Sequence, residues 1–120
     1  MITLALPMPP SVNRIWRPVY AGGKAKFVKR DRYLTWRQAA HGYYLEQGGH
    51  RQPKITGHFH AHIVLDASKR GVSDADNRAK PVLDALQTFG AIANDKHCDR
   101  LTVEWGAAPA GCIVTLSPVE

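Results

Sequence analysis

The sequence predicts a single α+β (mixed α/β) domain over residues 1–120, with a mixed sheet covered by two helices. Three observations carry this. Apolar and polar residues alternate through 55–65, the period of a half-buried strand. Two stretches, 32–47 and 77–89, instead place apolar side chains at helical spacing, and glycine follows each. A chain of 120 residues is long enough for one modest hydrophobic core.

Taken in order, Ile2 to Leu6 alternates and reads as a short strand. Pro7, Pro9 and Pro10 end it, because proline has no N–H to give to a ladder. Ser11, Asn13 and Arg14 follow, with donors suited either to phosphate oxygens or to turn formation. Ile15 to Tyr20 and Lys24 to Val28 read as the arms of a loop or hairpin with Ala21-Gly-Gly23 at its tip. Asp31 is placed to cap a helix from Arg32 to Gln47. Tyr33, Trp36, Ala40, Tyr43 and Tyr44 form one face of that helix, read as core or subunit contact, and Gly48-Gly49 stop it.

Ile55 to Leu65 is the clearest strand. Phe59, Ala61, Ile63 and Leu65 occupy one face, and His58, His60 and His62 the other. No acid or cysteine partner for the histidines is evident in the sequence, so they read as a polar sheet face or subunit contact rather than a zinc site. Asp66 to Ser73 is a loop containing Lys69 and Arg70. The helix over 77–89 buries Ala79, Val82, Leu83, Leu86 and Phe89 and stops at Gly90. Leu101 to Trp105 and Cys112 to Leu116 read as two strands joined into a hairpin through Gly106 to Gly111.

The charge is unevenly placed. Net charge is +6, yet residues 1–40 hold eight basic residues against the single acid Asp31, a local balance of +7. A basic face of that size attracts a polyanion without reading its sequence. Within it, Trp16, Tyr20 and Phe27 interleave with Arg17, Lys24, Lys26, Lys29 and Arg30. Such aromatics either stack on unpaired bases or anchor the segment to the core. No apolar run approaches the roughly 20 residues that span a bilayer, and no charged-then-apolar leader opens the chain. The expectation is a cytoplasmic protein without membrane association, with Cys98 and Cys112 reduced.

Chemistry concentrates in Asp74-Ala-Asp-Asn-Arg-Ala-Lys80-Pro-Val-Leu-Asp84 and in Asn94-Asp95. On extended backbone, Asp74 and Asp76 point the same way. Asp76, Lys80 and Asp84 then lie four apart, one polar stripe on a helix. Neighbouring carboxylates repel unless a cation or a shared proton relieves them. All-oxygen donors favour Mg²⁺ or Mn²⁺, and Asp95 is available as a third carboxylate. A lysine beside such an ion suits charge on a phosphate or the positioning of a water. The plainer alternative is that Asp76 or Asn77 only starts the helix and Asp74 is solvated.

The run Asp74-x-Asp76-Asn77-x-x-Lys80-Pro-x-x-Asp84-Ala85-Leu86, then Gly90-x-x-x-Asn94-Asp95, resembles the signature of the RusA family of Holliday-junction resolvases. The opening Leu6-Pro7-x-Pro9-Pro10-Ser11-x-Asn13-Arg14 is similar to that family's N-terminus. The resemblance implies a RusA-like fold and a Mg²⁺-dependent, homodimeric endonuclease acting on branched DNA. It implies Asp74, Asp76 and Asp95 as metal-binding carboxylates and Lys80 as the catalytic lysine. Asn94 departs from members with a second aspartate there, and Val72-Ser73 lack the basic cluster that some members carry.

The reading is therefore a structure-selective endodeoxyribonuclease that resolves four-way DNA junctions in recombination and repair. Asn13, Arg14, Arg17, Lys24, Lys26, Lys29, Arg30, Lys69 and Arg70 are its candidate DNA contacts. Asn77 and Asp84 are candidate supports of the reacting residues, with Asp84 the expected partner of Lys80. Two rivals stand beside it: a branched-nucleic-acid-binding protein that does not cleave, and a Mg²⁺-dependent phosphatase on a small substrate.

Overall fold

Residues 1–11, 16–21, 24–29, 31–70 and 75–119 are described in a computed structural model, with backbone only over 16–21, 24–29 and at 31. Strands β1 (Ile2–Pro7), β4 (Phe59–Asp66), β5 (Cys98–Gly106) and β6 (Gly111–Pro118) form one sheet, while β2 (Trp16–Ala21) and β3 (Lys24–Lys29) form a separate two-stranded one. Helices α1 (Asp31–Glu46) and α2 (Ala79–Phe89) complete the fold.

The sheet order is β1-β6-β4-β5. β6 is antiparallel to both β1 and β4, whereas β5 is parallel to β4. A parallel pair needs a long crossover, and α2 supplies it between β4 and β5. The expected β5–β6 hairpin does not form, because β4 lies between them. With α2 carrying the chain back parallel to β4 on one side, β6 takes the other side of the same strand. Bridging two strand spacings means covering about 9.6 Å, within reach of the four connecting residues at about 3.3 Å each.

Gly111 makes this return. Its φ is +139°, and an added Cβ would lie 2.0 Å from the Met8 nitrogen and 2.5 Å from the Pro7 carbonyl carbon. Gly111→Ala is expected to cost at least the ~1–3 kcal/mol of a strained backbone position, measurable by denaturant unfolding. An equally stable variant would contradict this close approach.

One face of the sheet is the core. Leu4, Leu6, Phe59, Ala61, Ile63, Leu65, Cys112, Val114 and Leu116 are all buried there, as the alternation in β4 predicts. β4 begins later than expected. Ile55 instead bridges to Ile92, accepting from Ala93 N–H at 2.9 Å and donating to Ala91 at 3.0 Å.

The histidine face does find acids, on the neighbouring strand. His58 lies 2.7 Å from Asp99 and His62 lies 3.1 Å from Glu104. These exposed pairs contribute little stability. Their partners are more than 40 positions away in sequence and meet them only through the β4–β5 register.

α1 buries Tyr33, Trp36, Ala40 and Tyr44 against the core. Tyr43, expected in that stripe, is exposed. Two polar contacts seat α1 on β1: the Trp36 indole N–H donates to the Pro7 carbonyl at 2.9 Å, and Gln47 brackets Ala5. Gln47 accepts from Ala5 N–H and donates to Ala5 carbonyl, both at 2.7 Å, as a neighbouring strand would.

α2 starts two residues later than expected. It buries Ala79, Pro81, Val82, Leu83, Ala85 and Leu86. Pro81 is tolerated because first-turn N–H groups have no helical partner. Gly90, at φ +90°, ends the helix with the expected left-handed cap. Cys98 and Cys112 are free and sit opposite the two ends of β4. Burial pushes the Cys112 thiol up to about 12. Cys112 is therefore expected to resist alkylation at pH 8 in the folded protein, scored by mass after iodoacetamide treatment.

Candidate active site

The acidic motif lies on the crossover from β4 to β5. At the end of β4, Asp66 accepts the Ser68 N–H at 3.0 Å and fixes a short 3₁₀ turn, Ala67–Lys69. That bond holds the Asp66 carboxyl below the usual carboxylate range. Lys69 and Arg70 are exposed just beyond it.

A second 3₁₀ turn, Asp76–Arg78, leads into α2. Two expectations are corrected here. Ala75 already has helical backbone (φ −60°, ψ −43°), so strand alternation does not govern how Asp76 points. Nor is Asp76 the residue that caps: Ala75 precedes the turn, Arg78 precedes α2, and neither makes a side-chain cap bond. Asp76 is exposed at the entrance to the helix. Asp74 lies outside the described residues.

Lys80 stands in the first turn of α2, and its Nζ donates to Asp95 Oδ2. Asp95 reaches this position because Gly90 ends α2 and the Ile55–Ile92 bridge turns the chain back. The Asp95 N–H donates to Gln87 Oε1 at 2.9 Å, so α2 holds this aspartate by its backbone as well as by its carboxylate. Asn94 accepts the Lys96 N–H at 3.0 Å and caps the 3₁₀ turn Asp95–His97. In this chain, the asparagine at that position does structural work.

An exposed lysine–carboxylate pair adds at most about 1 kcal/mol to stability. Its consequence is positional: a positive charge is held beside a partly buried carboxylate, one turn beyond Asp76.

Asp84 was expected to partner Lys80 but turns toward α1, where it accepts a hydrogen bond from the Tyr33 hydroxyl. Burial, reinforced by Asp84, raises the Tyr33 hydroxyl above its ordinary pKa, so it remains a donor. The stripe Asp76, Lys80, Asp84 thus splits, because Asp84 is close enough to α1 to be recruited as a fastening between the helices. Tyr33→Phe is expected to cost about 1.5 kcal/mol, the lower end for a bond to a charged group, read from chemical unfolding.

Three supporting residues escaped the sequence reading: Tyr33, Gln87 and Arg78. Arg78 is only 6% exposed, and its Nη1 donates to the Pro9 carbonyl. A signal for Arg78 existed: it lies four before Val82 and eight before Leu86, on the buried stripe of the helix. Gln87 and Tyr33 gave no comparable signal, since their partners are set by tertiary packing.

Among the described residues, no three His, Cys, Asp or Glu side chains are grouped to hold a metal. The donors described at the motif are the carboxylates of Asp76 and Asp95, hard oxygen ligands that fit Mg²⁺ or Mn²⁺ in kind. Of the candidate DNA contacts, Asn13, Arg14 and Arg30 lie outside the described residues. Arg17, Lys24, Lys26 and Lys29 all belong to the β2–β3 hairpin, which forms as expected.

The chain matches the family model described as endodeoxyribonuclease RusA over residues 7–117 of its 120. No curated protein matches it.

Proposed function

The chain belongs to the RusA family of endodeoxyribonucleases, and from that premise we propose that it resolves four-way DNA junctions by paired, Mg²⁺-dependent nicking as a homodimer. The observation that carries this reading is Lys80 fastened to Asp95 one helical turn beyond Asp76. Asp74, Asp76 and Asp95 would hold the Mg²⁺, with Mn²⁺ as a substitute. Bound there, the ion supplies an acidified water and shields charge at the phosphate.

The protein's own residues do the rest. Asp95 holds the Lys80 ammonium in place. Lys80 presents that charge to the phosphate oxygens or to the departing oxygen, where negative charge grows during cleavage. Asp84, tied to Tyr33, fixes α2 against α1 and so fixes the direction from which Lys80 emerges. Asn77 stands beside Asp76 in the same 3₁₀ turn. Asn13, Arg14, Arg30, Lys69, Arg70 and the cations of the β2–β3 hairpin grip the arms through phosphates, which gives register without base preference.

A junction of near two-fold symmetry needs two matched cuts, and a two-fold dimer presents two matched sites. Recombination and repair of DNA in the cytoplasm is the setting that such a substrate implies. No helix of the described residues is long and apolar enough to cross a membrane.

The test compares substrates. With Mg²⁺ present, the protein is expected to nick a synthetic four-way junction and leave linear duplex and p-nitrophenyl phosphate untouched. Hydrolysis of the small phosphoester alone would favour a phosphatase. Junction binding without cleavage in any divalent metal would favour a binding protein.

A further inference from the structure

A cleft of about 370 Å³ opens beside the acidic motif, and of its lining only Lys69 is already counted above as a DNA contact. Its walls include Pro9, Arg32, Trp36, Lys69 and Arg78. They come from four parts of the fold: the proline turn after β1, the start of α1, the turn after β4, and the 3₁₀ turn that begins with Asp76.

Two exposed cations, Arg32 and Lys69, line one concavity, and no described residue of its lining is acidic. Like charges gathered this way repel, and a bound anion relieves them. Arg78 gives the cleft a fixed wall. It is 6% exposed, and its bond to the Pro9 carbonyl holds the proline turn against the start of the acidic motif. Arg32 and Lys69 are exposed and free to close on a ligand.

Trp36 decides what kind of anion fits. It is 7% exposed, with its N–H spent on the Pro7 carbonyl. It walls the cleft and offers no open ring on which a base would stack. The recognition offered is charge alone, which suits a phosphate and not a nucleobase.

We propose that this cleft seats a backbone phosphodiester of the DNA other than the one that is cut, gripped by Arg32 and Lys69 together against the wall made by Arg78. This rests on the junction-resolving reading above and adds to it a fixed second grip. The turn that ends in Arg78 begins with Asp76, so the seated phosphate sets where the strand runs relative to the reacting carboxylate.

The test measures junction affinity in EDTA, where no turnover occurs, across a series of salt concentrations. Arg32→Gln, Lys69→Gln and the double variant change exposed side chains, and unchanged melting confirms folding. If both residues hold one phosphate, the double variant loses about 0.9 from the slope of log affinity against log salt, and each single variant loses nearly as much.

A junction set carrying one neutral methylphosphonate at each position near the cut supplies the second readout. One position is expected to weaken binding by the native chain and to have no effect on the double variant. Additive slope losses of about 1.8 would mean two separate surface contacts and overturn the shared pocket. Unchanged slopes, or no methylphosphonate position that couples to the variants, would overturn it while leaving the resolvase reading intact. Absence of junction binding by the native chain would overturn both.

Discussion

Asp76→Asn is expected to lower Mg²⁺-dependent junction nicking by at least about 100-fold, the scale seen when one preorganised electrostatic group is removed from a reacting centre. Junction binding is expected to stay the same or to tighten, because the substitution removes a negative charge from a surface that meets phosphates. Asp76 is exposed and does not cap the turn that it begins, so its loss has little structural cost. Thermal melting within about 0.5 kcal/mol of the native chain, the usual range for surface changes, separates a chemical effect from unfolding. Full nicking activity in a folded Asp76→Asn protein would remove this carboxylate from the site.

Phe59→Ala carries the largest expected effect on the fold itself. Phe59 is fully buried at the start of β4, the only strand of its sheet paired on one side in parallel and on the other antiparallel. Truncating a buried phenylalanine costs about 3–5 kcal/mol. Against the ~5–15 kcal/mol that holds a domain together, that is a large fraction. β4 also leads into the crossover that carries Asp76 and Lys80. Nicking is therefore expected to be lost on mild warming, well before the native protein loses it. A denaturant midpoint close to native would show that the β4 core is not what supports the site.

What the sequence disclosed follows from which interactions are local. The β4 alternation, the buried stripe of α2, the stop at Gly90 and the β2–β3 hairpin are each set by a few neighbouring residues. All four are present. The acidic motif was also visible as a pattern, since its spacing and the return of Asp95 after a short helix are properties of the chain itself.

The errors share a different cause: long-range contacts outweighed local preference. Leu101 to Trp105 and Cys112 to Leu116 look like a hairpin because they are close in sequence, but the α2 crossover gives one side of β4 to β5 and the other side to β6. Asp84 follows the four-residue stripe, yet Tyr33, 51 positions away, takes it. His58 and His62 lacked acids until the β4–β5 register supplied them. Tyr43 has an aromatic ring and helical spacing but sits at the border of the buried face and is exposed. Asp76 failed the alternation argument because Ala75 had already entered helical geometry.

The measurement that tests the central claim most directly is single-turnover nicking of a strand-labelled four-way junction, with Mg²⁺ or with EDTA. The expected result is two symmetric nicks per junction with Mg²⁺ and none with EDTA. Lys80→Ala is expected to be slowed by about 100-fold or more, the cost of losing a preorganised charge at the reacting phosphate. Equal cutting in EDTA, or a Lys80→Ala variant as fast as the native chain, would contradict a site built from metal-binding carboxylates and a lysine held by Asp95.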